Sequence, residues 1–299
     1  MSILAVGSIA YDTIKTPFVQ GKNILGGSLT YFALSASYFT KVGLVGIVGS
    51  DFRRKDLDLF RKYRINTDGL VKASGKTFRW SGEYSFDLNT RKTLSTELNV
   101  FENFNPVLPH EYLNSKYVFL GNIDPDLQLK VLKQIKNPKL VVADTMNYWI
   151  EKKPKSLKRM LKLVDILIIN DSEVRELAKK SNLVLAAQAV LGNVKSALII
   201  KQGEYGCLMF QKNKWFSLPA FPIENVYDPT GAGDAFAGGF VGYLASQNNF
   251  DEKTLKTAAV YGTVLASFAV EKLGPYNLEG LTKAQIKNRA SKLREITKF

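Results

Sequence analysis

Short runs of consecutive apolar residues alternate with helical segments along most of this chain. That order restricts the fold more than any other feature of the sequence. The runs are residues 3–6, 42–48, 117–120, 140–143, 166–169 and 197–200. Segments with helical character fall near 28–39, 51–63, 127–135, 156–163 and 172–179, with Asp51 expected to open the second of these as its cap. A strand that is apolar along its whole length has both faces covered, and continuous apolar strands separated by amphipathic helices specify a parallel sheet between two helical layers. The expectation is therefore an α/β fold in three layers with a mostly parallel sheet. Such sheets bind ligands outside the carboxyl ends of their strands, so the residues just after each apolar run are the candidates for function.

Two stretches break the rhythm. Residues 11–20 and 72–101 alternate polar and apolar side chains without helical periodicity, most clearly in Trp80-Ser81-Gly82-Glu83-Tyr84-Ser85-Phe86. They predict a small β lid inserted into a single domain covering residues 1–299. No linker, repeat or low-complexity tract divides the chain.

Composition narrows the chemistry. A chain of 299 residues, 45% hydrophobic and 23% charged, is ordinary for a globular protein with one large core. The stretch from Met1 to Gly7 has no basic leader, and no segment reaches the roughly 18 apolar residues of a membrane span, so a cytoplasmic protein is expected. Cys207 is the one cysteine and sits in an apolar run, which points to a small buried hydrophobe. The one histidine, His110, lies in a loop-like stretch and cannot build a metal cluster without cysteines. The formal net charge of +14 suits an anionic ligand, but the basic residues are spread along the chain with no arginine–aromatic stripe, so nucleic acid is not the expected partner.

Asp228-Pro229-Thr230-Gly231-Ala232-Gly233-Asp234 carries the most specific chemistry. It runs into a small-residue helical segment. Amides at a helix start are unpaired and the dipole there favours anions, while Gly231 and Gly233 allow phosphate oxygens close to the main chain. Asp234 cannot attract a phosphate, so its use beside an anion site is to take a proton from an attacking hydroxyl. The same residues also serve a plain helix start, with Pro229 and Thr230 as turn and cap. Two decoys fail. Gly75-Lys76-Thr77 lacks the glycine spacing of a P-loop, and Phe236 stands where a dinucleotide fingerprint needs its third glycine.

The Asp228 to Asp234 stretch resembles the signature of the ribokinase-like carbohydrate kinases, the PfkB family, and the resemblance extends over nearly the whole chain. It implies a ribokinase-like core with a lid that closes over a sugar, and an ATP-dependent kinase acting on a primary hydroxyl of a sugar-like or nucleoside substrate. It makes Gly231, Ala232 and Gly233 the anion hole and Asp234 the base. Asp12, just past the first strand, falls where the family binds sugar hydroxyls, and a carboxylate accepts well from adjacent hydroxyls. Gly26-Gly27 falls at the lid hinge and sugar pocket. Asn122 is a further acceptor contact.

Asn170-Asp171-Ser172-Glu173 matches the family's Asn-x-x-Glu motif, which holds Mg²⁺ and phosphate through water, and it equally fits a helix cap. Lys201, Gly203 and Gly206 look like the nucleotide loop. Thr230 and Thr263 complete the expected ATP contacts. ATP and Mg²⁺ are the cofactors so implied, K⁺ joins them as an expectation, and so does a homodimer through the lid. Ribokinases proper carry asparagine where this chain has Ala10 and Tyr31, and an aromatic wall suits a base, which raises the nucleoside reading. A non-catalytic sugar- or nucleotide-binding regulator is the remaining alternative. Retention of Asp234, both glycines and Glu173 argues against it.

Overall fold

A computed structural model describes residues 2–298, so Met1, in the stretch read for a leader, lies outside the described residues. In chain order the first half holds β1 (Ile3–Val6), β2 (Ala10–Lys15), β3 (Gln20–Gly26), α1 (Ser28–Ser37), β4 (Val42–Gly49), α2 (Arg54–Lys62), β5 (Asn66–Ala73), β6 (Phe78–Tyr84) and β7 (Arg91–Glu97). The middle holds β8 (Tyr117–Leu120), α3 (Pro125–Gln134), β9 (Leu140–Asp144), α4 (Asn147–Lys152), α5 (Pro154–Leu161), β10 (Ile166–Asn170), α6 (Asp171–Ala178) and α7 (Leu183–Leu191). The remainder is β11 (Ala197–Lys201), β12 (Cys207–Gln211), β13 (Lys214–Leu218), α8 (Ala232–Gln247), α9 (Glu252–Ala269) and α10 (Lys283–Ile296).

The large sheet has the order β13-β12-β11-β10-β9-β8-β1-β4-β5. Every pairing from β11 to β5 is parallel, and the β12–β13 hairpin closes one edge antiparallel. Alternate residues of one strand feed two separate cores. Ile3 and Ala5 of β1 pack with α1, α8 and α9, whereas Leu4 and Val6 pack with α3, α5, α6 and α7. The apolar runs of the sequence are thus explained by burial on both faces.

A second sheet of four strands, β3-β2-β6-β7, stands apart from the large one. The pairing of β2 with β6 is parallel, and the two flanking pairings are antiparallel. Its boundaries differ from the alternation in the sequence. The sheet starts at Ala10 and continues through β3 to Gly26. Lys72 and Ala73 belong instead to β5 at the edge of the large sheet, and Asn99–Asn103 is a short 3-10 turn. Because β5 is an edge strand, it is mostly half-exposed and reads as polar. Asp51 is not a helix cap. Its carboxylate accepts from the Thr77 amide and hydroxyl, each at 2.7 Å, and pairs with Arg79 at 2.8 Å, which fixes the crossing from β5 into the second sheet.

Candidate active site

The carboxyl ends of β9, β10 and β11 meet the start of α8 below the second sheet. Gly231 precedes α8 in the left-handed region at φ 75, and a Cβ there would overlap the Tyr31 ring. Only glycine combines that backbone with that contact. Tyr31 is 1% exposed and lies under the turn, with its hydroxyl unpaired among the described residues. It is therefore a floor for the anion turn, and the aromatic wall expected from its position in the sequence is not there. The Ala232 amide is already used, donating to the Pro229 carbonyl at 3.2 Å. The amides of Gly231, Gly233 and Asp234 have no partner among the described residues, and they form the open part of the turn.

Charge is concentrated here. Lys201, at the end of β11, places its Nζ against Gly233 and 3.2 Å from the Asp144 carboxylate, in a pair that is largely buried. Burial raises the Asp234 carboxyl well above the usual aspartate range; Asp144 adds to this, while Lys201 and Arg91 oppose it. Glu173 is raised for the same reasons, burial first and then Asp144. Burial works against the charged form of Lys201, yet Asp144, Glu173 and Asp234 hold its pKa above the ordinary lysine value. Three carboxylates thus share one buried ammonium. A carboxyl raised toward neutrality in such a cluster is suited to proton transfer.

Asn170 and Glu173 form a full capping box at the start of α6. The Asn170 side chain accepts from the Glu173 amide at 2.8 Å, and the Glu173 carboxylate accepts from the Asn170 amide at 3.0 Å. The structural reading of this motif is therefore present. It coexists with the placement of Glu173 in the charge cluster.

The second sheet closes the site from above. Asp12, on β2, is 4% exposed, and its carboxylate lies over Gly26, where a Cβ would overlap it. Burial and then Asp228 push Asp12 up to about 7, against the Gly27 amide, which lowers it. The Tyr84 hydroxyl of β6 meets the Thr230 hydroxyl at 2.9 Å, and Thr230 donates its amide to Asp228 at 2.9 Å. Asn89, in the turn after β6, donates to Glu204 at 2.9 Å. Glu204 sits between Gly203 and Gly206, both at positive φ, in the turn joining β11 to β12. The second sheet is tied in this way to both the anion turn and the β11 loop.

Two of the expected site residues are engaged by other partners. Asn122, just past the end of β8, donates to the Met146 sulfur at 3.0 Å and accepts from the Trp149 indole at 3.0 Å, so its amide anchors α4 and keeps one N–H for an acceptor. Thr263 is 6% exposed on α9 and set against the Cys207 thiol, inside the core. Conversely, Asp144, Tyr84 and Arg91 belong to the site and were missed. Asp144 ends an apolar strand, the same signal that singled out Asn170 and Lys201. Arg91 and Tyr84 lie in the polar second sheet, where alternation marks strands but no single residue.

The model of the pfkB family carbohydrate kinases matches residues 20–280. The cytidine kinase of Thermococcus kodakarensis is 30% identical over 247 residues, which cover 81% of this chain and 87% of that protein. The fold is similar to that of the Methanocaldococcus jannaschii nucleoside kinase, with a TM-score of 0.79 at 22% identity, covering 98% of this chain and 99% of the other. It is equally similar to the Burkholderia thailandensis nucleoside kinase in complex with ADP-inosine, with a TM-score of 0.79 at 18% identity, covering 98% and 96%. These matches agree with the glycine-rich turn, its aspartate and the sheet above it: the chain belongs to the pfkB family of carbohydrate kinases.

Proposed function

We propose that this kinase transfers the γ-phosphoryl group of ATP to a primary hydroxyl of a nucleoside. The placement of Asp234 carries the reading: a carboxyl raised by burial, at a helix start with free amides, facing a second buried carboxyl in the sheet above. Phosphoryl transfer depends on positioning and charge neutralisation more than on covalent chemistry by the protein. Asp12 holds hydroxyls of the acceptor, and Asp234 takes the proton of the attacking one. The open amides of Gly231, Gly233 and Asp234, with Lys201, receive the charge that develops on the phosphoryl oxygens. The contacts of Tyr84 and Asn89 keep the second sheet down as a lid, excluding water that would otherwise consume ATP.

The surplus of carboxylates around Lys201 fits Mg²⁺ held through water by Glu173, since Mg²⁺ keeps several waters and needs few protein ligands. The ion would supply charge neutralisation for the nucleotide phosphates. Glu173→Gln is a clean test because glutamine also completes a capping box. The variant should need more Mg²⁺ for half-maximal activity, with a Tm no lower than that of the wild type. A metal titration that superimposes on the wild type would assign Glu173 to the cap alone.

The nucleoside acceptor is supported by the relatives and by Ala10, which offers no hydrogen bond where ribokinases read a ribose hydroxyl. Leaving a buried polar group without a hydrogen-bond partner costs roughly 1–3 kcal/mol. Direct competition of ribose with cytidine, uridine, adenosine and inosine should give one of the nucleosides the highest kcat/KM; ribose in first place would overturn the nucleoside reading. The assay is run with and without K⁺. We place the reaction in the cytoplasm, where ATP is supplied. No helix among the described residues is long and apolar enough to cross a membrane. A homodimer through the lid would form on the exposed edge strand β7.

A further inference from the structure

Trp80 has no role in the chemistry above, yet it lies on the same face of the lid as Asp12. The two residues are direct partners in the parallel pairing of β2 with β6. Directly paired residues of neighbouring strands project to the same face and lie within side-chain reach. Two glycines clear that face. Asp12 leans over Gly26, and the Trp80 indole lies across Gly82, where a Cβ would overlap its six-membered ring. A side chain at either glycine would lift the carboxylate or the indole off the sheet. The indole nitrogen donates to the Thr93 hydroxyl at 3.3 Å, which fixes the ring plane from β7. The Arg91 guanidinium lies over the ring at 5.3 Å from its centroid. A planar group, the guanidinium, therefore already rests on this aromatic surface, and a nucleobase would take its place there. Arg91 belongs to the same pocket, because it pairs directly with Tyr84, whose hydroxyl meets that of Thr230 at 2.9 Å.

We infer that Trp80 is the base platform of the acceptor site: the ribose hydroxyls of a nucleoside engage Asp12 while its nucleobase stacks on the indole. This rests on the nucleoside reading and names the residue that separates a nucleoside from a base-free sugar. The aromatic surface sought at Tyr31 is supplied from the lid, one strand away from Asp12. Stacking of this kind tolerates any base, because each has a π face, so Trp80 sets the class of acceptor and not the individual base.

The test compares Trp80→Ala and Trp80→Phe with the wild type, using cytidine, uridine, adenosine and inosine as nucleoside probes and ribose as the base-free probe. Binding is measured by calorimetry and turnover by ADP release. Trp80→Ala should weaken nucleoside binding by about 5- to 140-fold, the range that follows from 1–3 kcal/mol of stacking at 1.4 kcal/mol per tenfold. The loss should appear in KM more than in kcat. Trp80→Phe should restore most of it, and the KM for ATP should stay within about twofold by the same scale. Ribose, used poorly or well, should be affected no more than ATP. Equal losses with ribose and nucleosides would assign Trp80 to lid packing, and unchanged nucleoside affinity would remove it from the site; either result overturns the proposal, as does a wild type that binds none of the four nucleosides. Nucleoside binding that depends on Trp80 without any turnover would retain the platform and refute the kinase chemistry, so the two failures are distinct.

Discussion

Replacing Asp234 with asparagine should reduce turnover by about 10²–10⁴-fold, the usual contribution of a positioned general base, while leaving ATP binding intact. The same substitution should raise Tm. The Asp234 pKa is raised by burial and by Asp144, so the folded protein holds that proton more tightly than the unfolded chain does. Stability from this group is full below the ordinary aspartate pKa and is lost as pH climbs through the raised folded value. Asparagine has no charge to desolvate beside Asp144, so at neutral pH it recovers what the ionised aspartate costs, roughly 2–4 °C in Tm for each kcal/mol recovered. For the same reason the acid limb of the wild-type kcat/KM profile should lie above the ordinary carboxylate range. An Asp234→Asn enzyme with more than about a tenth of the wild-type rate would remove Asp234 from the role of base.

Lys201→Met should produce the second large effect. Its ammonium is the buried cation at 3.2 Å from Asp144 and touches Gly233 in the anion turn. Losing one electrostatic stabiliser of a transferring group typically costs about 10²–10³-fold in rate. Removing one partner of a buried pair also strands the other, at roughly 3–5 kcal/mol of stability, so a fall in rate alone would not separate the two causes. The pH profile does. Lys201 lowers the pKa of both Asp234 and Glu173, so without it both carboxyls rise and the acid limb of kcat/KM must move to higher pH. A lower rate with an unmoved limb would mean that Lys201 only holds β11 and β9 together.

Sequence reasoning reached the fold because burial on both faces leaves unbroken apolar strands, and β1, β4, β8, β9, β10 and β11 all stand where those runs lie. It was blind to elements without that signature. The α7 segment, Leu183–Leu191, is apolar nearly all round and shows no helical face. The edge strand β5 is half-exposed, and its last two residues, Lys72 and Ala73, read as part of the lid. In the site, Asp234, Gly231, Lys201 and Glu173 were legible because each sits at a strand end or helix start, where backbone geometry dictates the chemistry. Asn122 shared that position, but its amide is also tied to Met146 and Trp149, residues that only the folded α4 brings near it. Thr263 failed on helix register, which turns it toward Cys207. Trp80 and Arg91 were hidden because the pairing of β2, β6 and β7 across the insertion, and not spacing along the chain, sets them beside Asp12.

Incubation of the wild type with γ-labelled ATP, Mg²⁺ and each of the four nucleosides, followed by mass spectrometry of the products, bears most directly on the proposed reaction. It should yield a nucleoside monophosphate carrying the label on its primary hydroxyl, formed in equal amount to ADP and about 10²–10⁴-fold more slowly with Asp234→Asn. Release of inorganic phosphate without a phosphorylated nucleoside, or label on a secondary hydroxyl, would contradict it.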